Sequence, residues 1–316
     1  MNPLSALYGG AVATRNWMYD RGLLRTRELG APVVSIGNIR VGGAGKTPFT
    51  VLLGELLKQR GVALDVLSRG YKRQTSGVQV VDTEGSACDF GDEPLLIAKR
   101  LRVPVIVAAK RYDAGHLGEA RFQSAMHLLD DGFQHRELVR QFDVVLVDEA
   151  DLADSLLPTG RLREPASELR RADVLVVPAA ASVKAFEKFG KPLWRVQRKL
   201  RTPASAPSRP VVFCGLAKPD RFVSDIRANR VEPACFVTFP DHHRYAEKDV
   251  AELRSVMDRN HADGFITTEK DLMNLGRLAG QLPGLTVAIL QVELFEAESC
   301  VDFLLETIAA RRKRRS

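Results

Sequence analysis

The sequence predicts an α/β protein, a P-loop NTPase-like N-terminal domain on a parallel sheet with a smaller α/β C-terminal domain. Three observations predict it. Short apolar, β-branched runs alternate with helical patterns along most of the chain. A glycine-rich segment ending in Gly45-Lys46-Thr47 stands between the first such run and a helical stretch. Residues 201–210 (RTPASAPSRP) hold three prolines and few apolar side chains, and a second α/β pattern follows them. The 316 residues, 45% hydrophobic and 27% charged, suit one large domain or two ordinary ones. That balance excludes a disordered chain, a collagen and a small disulfide scaffold.

The elements follow in order. Residues 31–36 (APVVSI) read as a buried strand ending at Gly37. Residues 48–60 read as a helix stopped by Gly61. Further buried strands are expected at 62–67, 103–108, 125–129, 143–147 and 173–177. Beyond the proline-rich linker, 211–214, 234–239, 264–267 and 285–289 are the strand candidates. The division is then 1–28 as an N-terminal segment, 29–200 as the nucleotide-binding domain, 201–210 as linker, and 211–316 as the C-terminal domain.

The net charge of +7 is not spread over the body. Residues 311–315 carry five cations and residues 1–28 a net +2, so residues 29–310 are neutral. A nucleic-acid partner is not expected, because such binders carry their basic excess on the folded surface. Leu4, Leu7, Tyr8 and Ala11 follow helical spacing, with Trp17, Met18 and Tyr19 among Arg15, Arg21 and Arg25. That pattern suits a membrane surface, with a helix packed on its own domain as the plainer alternative. A basic tail would be a second weak contact. The uncharged stretch from Met1 to Thr14 is too short to span a bilayer and lacks a basic lead, so the chain reads as cytoplasmic. Cys88, Cys214, Cys235 and Cys300 form no CxxC pair and match no zinc spacing.

The central chemical signal is Gly42-Gly43-Ala44-Gly45-Lys46-Thr47. Glycines let backbone N–H groups approach phosphate oxygens, and the helix start adds partial positive charge. Lys46 is expected on the β- and γ-phosphates of ATP and the Thr47 hydroxyl on Mg²⁺. The usual first glycine falls at Arg40, so Arg40 and Val41 open a modified loop that takes in residues 40–47. A metal-holding carboxylate belongs at the end of a neighbouring strand, where Asp130 and Asp131 stand. Strand alternation aims only one of them inward. Asp148-Glu149 is a weaker candidate for the same role.

These motifs, with others in the same order, resemble the tetraacyldisaccharide 4'-kinases, the lipid A 4'-kinases of Gram-negative bacteria. The matching pieces are Gly37-Asn38-Ile39 before GGAGKTP, Ser68-Arg69-Gly70-Tyr71, Gly91-Asp92-Glu93-Pro94 and Asp130-Asp131-Gly132-Phe133-Gln134-His135. They continue with Gly160-Arg161-Leu162-Arg163-Glu164-Pro165, Asp241-His242-His243-Arg244-Tyr245 and Thr267-Thr268-Glu269-Lys270-Asp271. The resemblance implies transfer of the ATP γ-phosphate to the 4'-hydroxyl of an acylated glucosamine disaccharide 1-phosphate, giving lipid IVA. It implies Mg²⁺ and a peripheral place on the cytoplasmic face of the inner membrane. It also implies a C-terminal domain that closes over the nucleotide.

By the same resemblance Asp92 is the candidate base for the acceptor hydroxyl, against a plain reading as a helix N-cap. His242 or His243 would pair with it. Glu164 would hold Mg²⁺ or its waters, and Arg161 or Arg163 a phosphate, against a surface loop with local ion pairs. Arg69 and Tyr71 would meet the lipid head group or form a strand-end turn. Residues 268–271 would cradle adenine or cap a helix. His116, His127 and His261 show no partner pattern. The main rival is a partitioning- or maturation-type ATPase switch acting on protein partners. Its loop usually carries a Lys before the Gly-Gly pair, where this chain has Val41.

Overall fold

The computed structural model describes residues 2–314. Its strands are β1 (Val33–Asn38), β2 (Leu64–Ser68), β3 (Gln79–Val80), β4 (Val105–Val107), β5 (Met126–Asp130) and β6 (Phe142–Leu146). They continue with β7 (Val174–Pro178), β8 (Leu193–Arg201), β9 (Val211–Cys214), β10 (Cys235–Thr238), β11 (Phe265–Thr268) and β12 (Leu285–Leu294). The helices are α1 (Pro3–Asp20), α2 (Lys46–Gln59), α3 (Ala87–Phe90), α4 (Asp92–Leu101), α5 (Arg111–Phe122) and α6 (Glu149–Leu152). After them come α7 (Val183–Phe186), α8 (Pro219–Ala228), α9 (Glu247–Arg259), α10 (Glu269–Leu275) and α11 (Ala297–Lys313).

Both α/β patterns share one twelve-stranded sheet, in the order β10-β9-β11-β12-β8-β7-β6-β1-β5-β2-β4-β3. All strand pairs are parallel except β8 with β12 and β3 with β4. Strands β1, β2, β5 and β6 are buried along their whole length, as apolar runs covered on both faces must be. The join between the halves is β8 and β12. Residues 285–288 of β12 pair in parallel with β11, and residues 289–294 pair antiparallel with residues 196–201 of β8. Strand β8 has no apolar run to betray it. It alternates Trp194 and Val196 inward with Arg195 and Gln197 outward, the period of a half-exposed strand. The expected linker is shorter only by Arg201, the last residue of β8, and the Asp263 carboxylate holds it by accepting from the Ser208 and Arg209 backbone.

The expected C-terminal domain also ends earlier than residue 316. Side chains of β9, β11 and α9 form an apolar cluster around Phe213 and Phe265, and those of β9, β11 and α8 form another around Phe222 and Ile226. Helix α11 does not join them. Its Cys300, Val301, Leu304 and Ile308 pack in the cluster that holds Phe49, Leu57 and Phe142 of the nucleotide-binding half. Its last turn places Arg311 against Asp173 and the Gln141 carbonyl, and Arg312 against the Gly30 carbonyl. Those partners precede β7, β6 and β1, so this basic stretch lies at the edge where the parallel strands begin. Arg315 lies outside the described residues.

Helix α1 is docked by its polar side. Ser5 bonds the Leu156 carbonyl and Thr159, Tyr8 donates to the Arg163 carbonyl, and Asn16 donates to Glu164 and Glu168. A Cβ at Gly9 would stand 2.9 Å from Leu156, so the helix sits close. The opposite face exposes Leu4, Leu7 (74%) and Trp17 (51%) to solvent. The plainer reading, a helix packed on its own domain, describes its contacts, and these three apolar side chains stay outside.

Below the sheet, His127 of β5 is fully buried between two carboxylates. Its Nδ1 lies 2.6 Å from Asp65 Oδ1 and its Nε2 3.4 Å from Glu119 Oε1. A side chain at Gly118 would run into Asp65, so α5 approaches here as only glycine permits. Burial alone lowers the imidazole, but the bonds and charge of Asp65 and Glu119 outweigh it and raise it above 6.5. The stabilisation is complete below that value and is lost as pH rises through the higher folded value. Replacing His127 by Leu leaves a buried carboxylate uncompensated and is expected to cost about 3 kcal/mol or more in urea unfolding. In NMR titration of the folded wild type, a ring losing its proton below 6.5 contradicts this assignment.

Candidate active site

The phosphate loop leaves β1 at Asn38 and enters α2 at Lys46. Gly42 and Gly45 both hold φ of +82°, a conformation L side chains rarely take. Gly45 caps α2 with no side-chain bond, so the first N–H groups of a 14-residue helix face the loop. The departure at Arg40 now has a physical reason. Arg40 and Leu162 form a β-bridge, and the Val41 N–H donates to the Arg161 carbonyl. The loop therefore begins with two residues stitched to the 160–165 segment, where extended backbone rather than glycine is needed. The expected contacts of Arg40 and Val41 to nucleotide are corrected accordingly. The Arg40 guanidinium is committed to the buried Asp151 at 2.7 Å, and the Val41 N–H is already bonded. Residues 42–47 remain as the candidate cradle. Arg198 of β8, unmarked by any motif, donates to the Ala44 carbonyl and fills the space a side chain at Gly45 would need.

Lys46 Nζ lies 3.2 Å from Asn38 Oδ1 and 3.4 Å from Asp131 Oδ1. Arg163 grips the same two groups, donating to Asn38 Oδ1 at 2.7 Å and to both Asp131 oxygens at 3.0 Å. Burial opposes ionisation of Asp131, yet Lys46 and Arg163 pull its carboxyl down to about 2. Arg161, by contrast, pairs locally with Asp154 at 2.8 Å.

Asp130, one residue earlier, is 3% exposed and receives only long bonds, 3.4 Å from Thr50 and 3.5 Å from Ser68. Burial first, then the charges of Glu93 and Asp131, push its carboxyl up to about 7. Alternation has separated the two acids as strand geometry requires, and Asp131 manages its turn at φ +51°. The Gly37 backbone lies against Phe133, where a Cβ would come within 2.5 Å. Gln134 ties the turn to β1 by donating to the Asn38 carbonyl at 2.9 Å.

Glu164 is a correction. Its carboxylate is buried and taken by Asn16, Gln134 and Arg171, the last at 2.6 Å. Those are the partners of a structural carboxylate that fastens α1 to the loop, a role the expected metal ligation did not include.

Asp92 is the first residue of α4, after its N-cap Gly91, so it is not the cap itself. Its Oδ2 lies 2.8 Å from His242 Nδ1 and accepts from Asn274 Nδ2 at 3.2 Å, while Oδ1 accepts from the Glu93 N–H at 2.9 Å. Burial raises this carboxyl, but His242, Lys270 and Asn274 outweigh burial and hold it below the ordinary range. It is an ionised acceptor at neutral pH. Next to it, burial and the Asp92 charge raise Glu93.

The structure separates the two histidines of the DHHRY motif. His242, at φ +60°, reaches Asp92 across the two halves of the chain. His243 is turned into the C-terminal body, 3.0 Å from Asp249 and stacked on Phe239, so its expected catalytic role is withdrawn. In the 268–271 segment Thr268 caps α10, Glu269 pairs with Arg100, and Asp271 accepts from the Gly215 N–H and Tyr245. The helix-cap reading describes it, with Lys270 left over toward Asp92.

One set of residues carried too little sequence signal. Arg111 is buried, its Nε has no hydrogen-bond partner, and burial with Arg69 nearby pushes it down to about 10. Burial with Arg111, Arg140, Arg15 and Arg69 lowers His135 to about 4. Beside the Asp131 turn, therefore, stand a buried guanidinium, Arg111, and an exposed one, Arg69, suited to an anion, with the neutral His135 ring near them. Among the described residues no group of three or more His, Cys, Asp or Glu side chains forms a metal cage.

The family model for LpxK, tetraacyldisaccharide-1-P 4'-kinase, matches residues 1–309. A tetraacyldisaccharide 4'-kinase of Koribacter versatilis is 46% identical over 99% of this chain and 100% of its own length. One from Aquifex aeolicus is 37% identical over 86% of this chain and 88% of its own. A crystal structure of LpxK from Aquifex aeolicus in complex with ATP superposes with a TM-score of 0.77 at 32% identity, covering 97% of this chain and 98% of that one.

Proposed function

This chain belongs to the tetraacyldisaccharide-1-P 4'-kinase family, and on that footing we propose how its side chains divide the reaction. It is an ATP-dependent kinase of lipid A biosynthesis that phosphorylates the 4'-hydroxyl of tetraacyldisaccharide 1-phosphate to form lipid IVA. The carrying observation for the site is the Asp92–His242 pair, set where the chain's two halves meet beside the Lys46 loop.

The triphosphate lies along the N–H groups of residues 42–47 at the start of α2. Lys46 neutralises the β- and γ-phosphates, and Arg163 with Asp131 keeps it aimed. Thr47 and Asp130 suit Mg²⁺, since a buried carboxylate with two long hydrogen bonds is left for a cation to satisfy. Mg²⁺ usually keeps waters and phosphate oxygens as ligands, so no full protein cage is required, and when bound it neutralises developing charge on the phosphates. Asp92 accepts the proton of the 4'-hydroxyl as the oxygen meets the γ-phosphorus, while His242 holds its carboxylate in place. The guanidinium groups of Arg111 and Arg69, with the neutral His135 ring beside them, take the phosphate that the acceptor already carries.

On the same reading the enzyme works as a peripheral protein on the cytoplasmic face of the inner membrane, and the exposed apolar side chains of helix α1 support it. No described helix is long and apolar enough to cross a membrane. The loop under the start of α1, residues 156–163, is the one stitched to the phosphate loop. Seating Leu4, Leu7 and Trp17 in a headgroup layer therefore brings that layer to the edge where the acceptor is phosphorylated. Changing these three to Ser is expected to weaken sedimentation with anionic vesicles by tenfold or more. Thermal stability should stay unchanged, because the three side chains are exposed. Equal sedimentation of variant and wild type removes the anchor. The activity itself is tested by incubating the protein with ATP, Mg²⁺ and tetraacyldisaccharide 1-phosphate. A product heavier by one phosphate is expected; ATP hydrolysis without transfer favours the partner-switch alternative.

A further inference from the structure

We propose that Lys270 is a positioning residue for phosphoryl transfer, fixing His242 in the tautomer that presents its Nδ1–H to Asp92. The proposal deepens the reading of Asp92 as the base and rests on it.

Three consecutive side chains at the start of α10 diverge. Glu269 turns to Arg100 and Asp271 is sunk against Gly215 and Tyr245, each serving the fold. Lys270 alone points at the dyad and is largely enclosed there. Its Nζ is 2.9 Å from Asp241 Oδ1, 3.2 Å from His242 Nε2 and 3.9 Å from Asp92 Oδ2. An ammonium has protons to give and no lone pair. His242 Nε2 must therefore accept, and the single ring proton of the neutral imidazole sits on Nδ1, facing Asp92 Oδ2 at 2.8 Å. Asp92 Oδ2 is then held twice, by His242 and Asn274, while Oδ1 carries one bond from Glu93 and keeps a free lone pair. That oxygen is the one available to take the acceptor's proton.

Charge supports the same assignment. Around His242 stand Asp92 and Glu93 from α4, Lys270 from α10, Asp241 in its own turn, and Tyr71 and Lys72 from the segment after β2. The Asp241 Oδ2 lies 3.8 Å from Nε2 and is the acceptor that would favour the ring proton on that nitrogen. The Lys270 ammonium, closer at 3.2 Å, blocks that position and neutralises Asp241. Without it the Nε2–H tautomer competes, its bare Nδ1 faces Asp92, and the carboxylate loses the bond that holds Oδ2 in place.

The test is Lys270→Met in the full chain, with Lys270→Arg as the conservative control. In the methionine variant kcat is expected to fall about tenfold, a share of the 10²–10⁴ typical of general-base catalysis. KM for ATP should stay near wild type. The ¹⁵N spectra should show the ring proton of His242 moving from Nδ1 toward Nε2, the signature of a changed tautomer. Lys270→Arg should restore much of each. A raised KM for ATP with an unchanged His242 spectrum makes Lys270 a nucleotide contact and overturns the proposal, as does no change in any readout. If the His242 spectrum shifts as expected but Asp92→Asn turns over normally, the base reading fails while the tautomer assignment stands.

Discussion

Asp92→Asn is expected to lower turnover by about 10²–10⁴-fold, the range for removing a positioned general base. Asparagine keeps the volume, and its single carbonyl oxygen can still accept from the Glu93 N–H while its amide nitrogen takes the place of Oδ2, so packing at the start of α4 is conserved. What it loses is the negative charge and the lone pair that takes a proton. ATP affinity should change little, because the phosphates are held by residues 42–47 and Lys46. His242→Asn should cost less, since the carboxylate stays ionised through Lys270 and Asn274. Because the two act as a unit, the double variant should be scarcely worse than Asp92→Asn alone. The acid side of the profile follows from the depressed Asp92 carboxyl. Its stabilising interactions are present above the unfolded value of 3.8 and vanish as pH falls through the lower folded value, so the base stays ready across the neutral range. Rapid single-turnover assays with saturating ATP measure the chemical step. A variant within a few-fold of wild type there excludes Asp92 as the base.

How much of this was legible before the structure depends on the kind of signal. Buried parallel strands announce themselves as apolar runs, and β1, β2, β5, β6 and β7 stand within a few residues of their expected places. Strand β8 did not, because a half-exposed strand spends alternate positions on Arg195, Gln197 and Lys199. Missing it hid the join between the halves. The phosphate loop was legible because backbone geometry demands glycine at fixed offsets. Its opening at Arg40 was not, since the reason lies in a β-bridge to Leu162, more than a hundred residues away. Motif resemblance named a cluster of acids and histidines but not their directions. Asp130 and Asp131, His242 and His243, and Arg161 and Arg163 are close neighbours in sequence that the fold sends to different tasks. Glu164 looked like a ligand by its charge and is a fastening by its partners. Arg111 sits in no glycine-rich or acidic signature, and only its burial without a partner for Nε reveals it.

Asp130→Asn should abolish most transfer and yet stabilise the metal-free protein above neutral pH. The carboxyl ends a buried strand, has two long hydrogen bonds, and stands near Glu93 and Asp131. Burial and those charges lift it to about 7 from an unfolded value of 3.8. Between those values the folded protein holds a proton that the unfolded chain has released, so stability falls as pH rises through the window. Above it the ionised group carries its full penalty. Asparagine has no proton to lose and escapes that penalty. With a chelator present, its melting temperature should match wild type near pH 4 and exceed it by several degrees at pH 8, since 1 kcal/mol shifts a protein of this size by roughly 2–4 °C. The same substitution removes a charge suited to Mg²⁺, so transfer should fall by orders of magnitude and excess Mg²⁺ should not restore it. Lower stability at pH 8 contradicts the strained carboxylate, and near-normal transfer contradicts the metal role. If both expectations hold, the protein keeps a destabilising acid because the reaction needs a cation there.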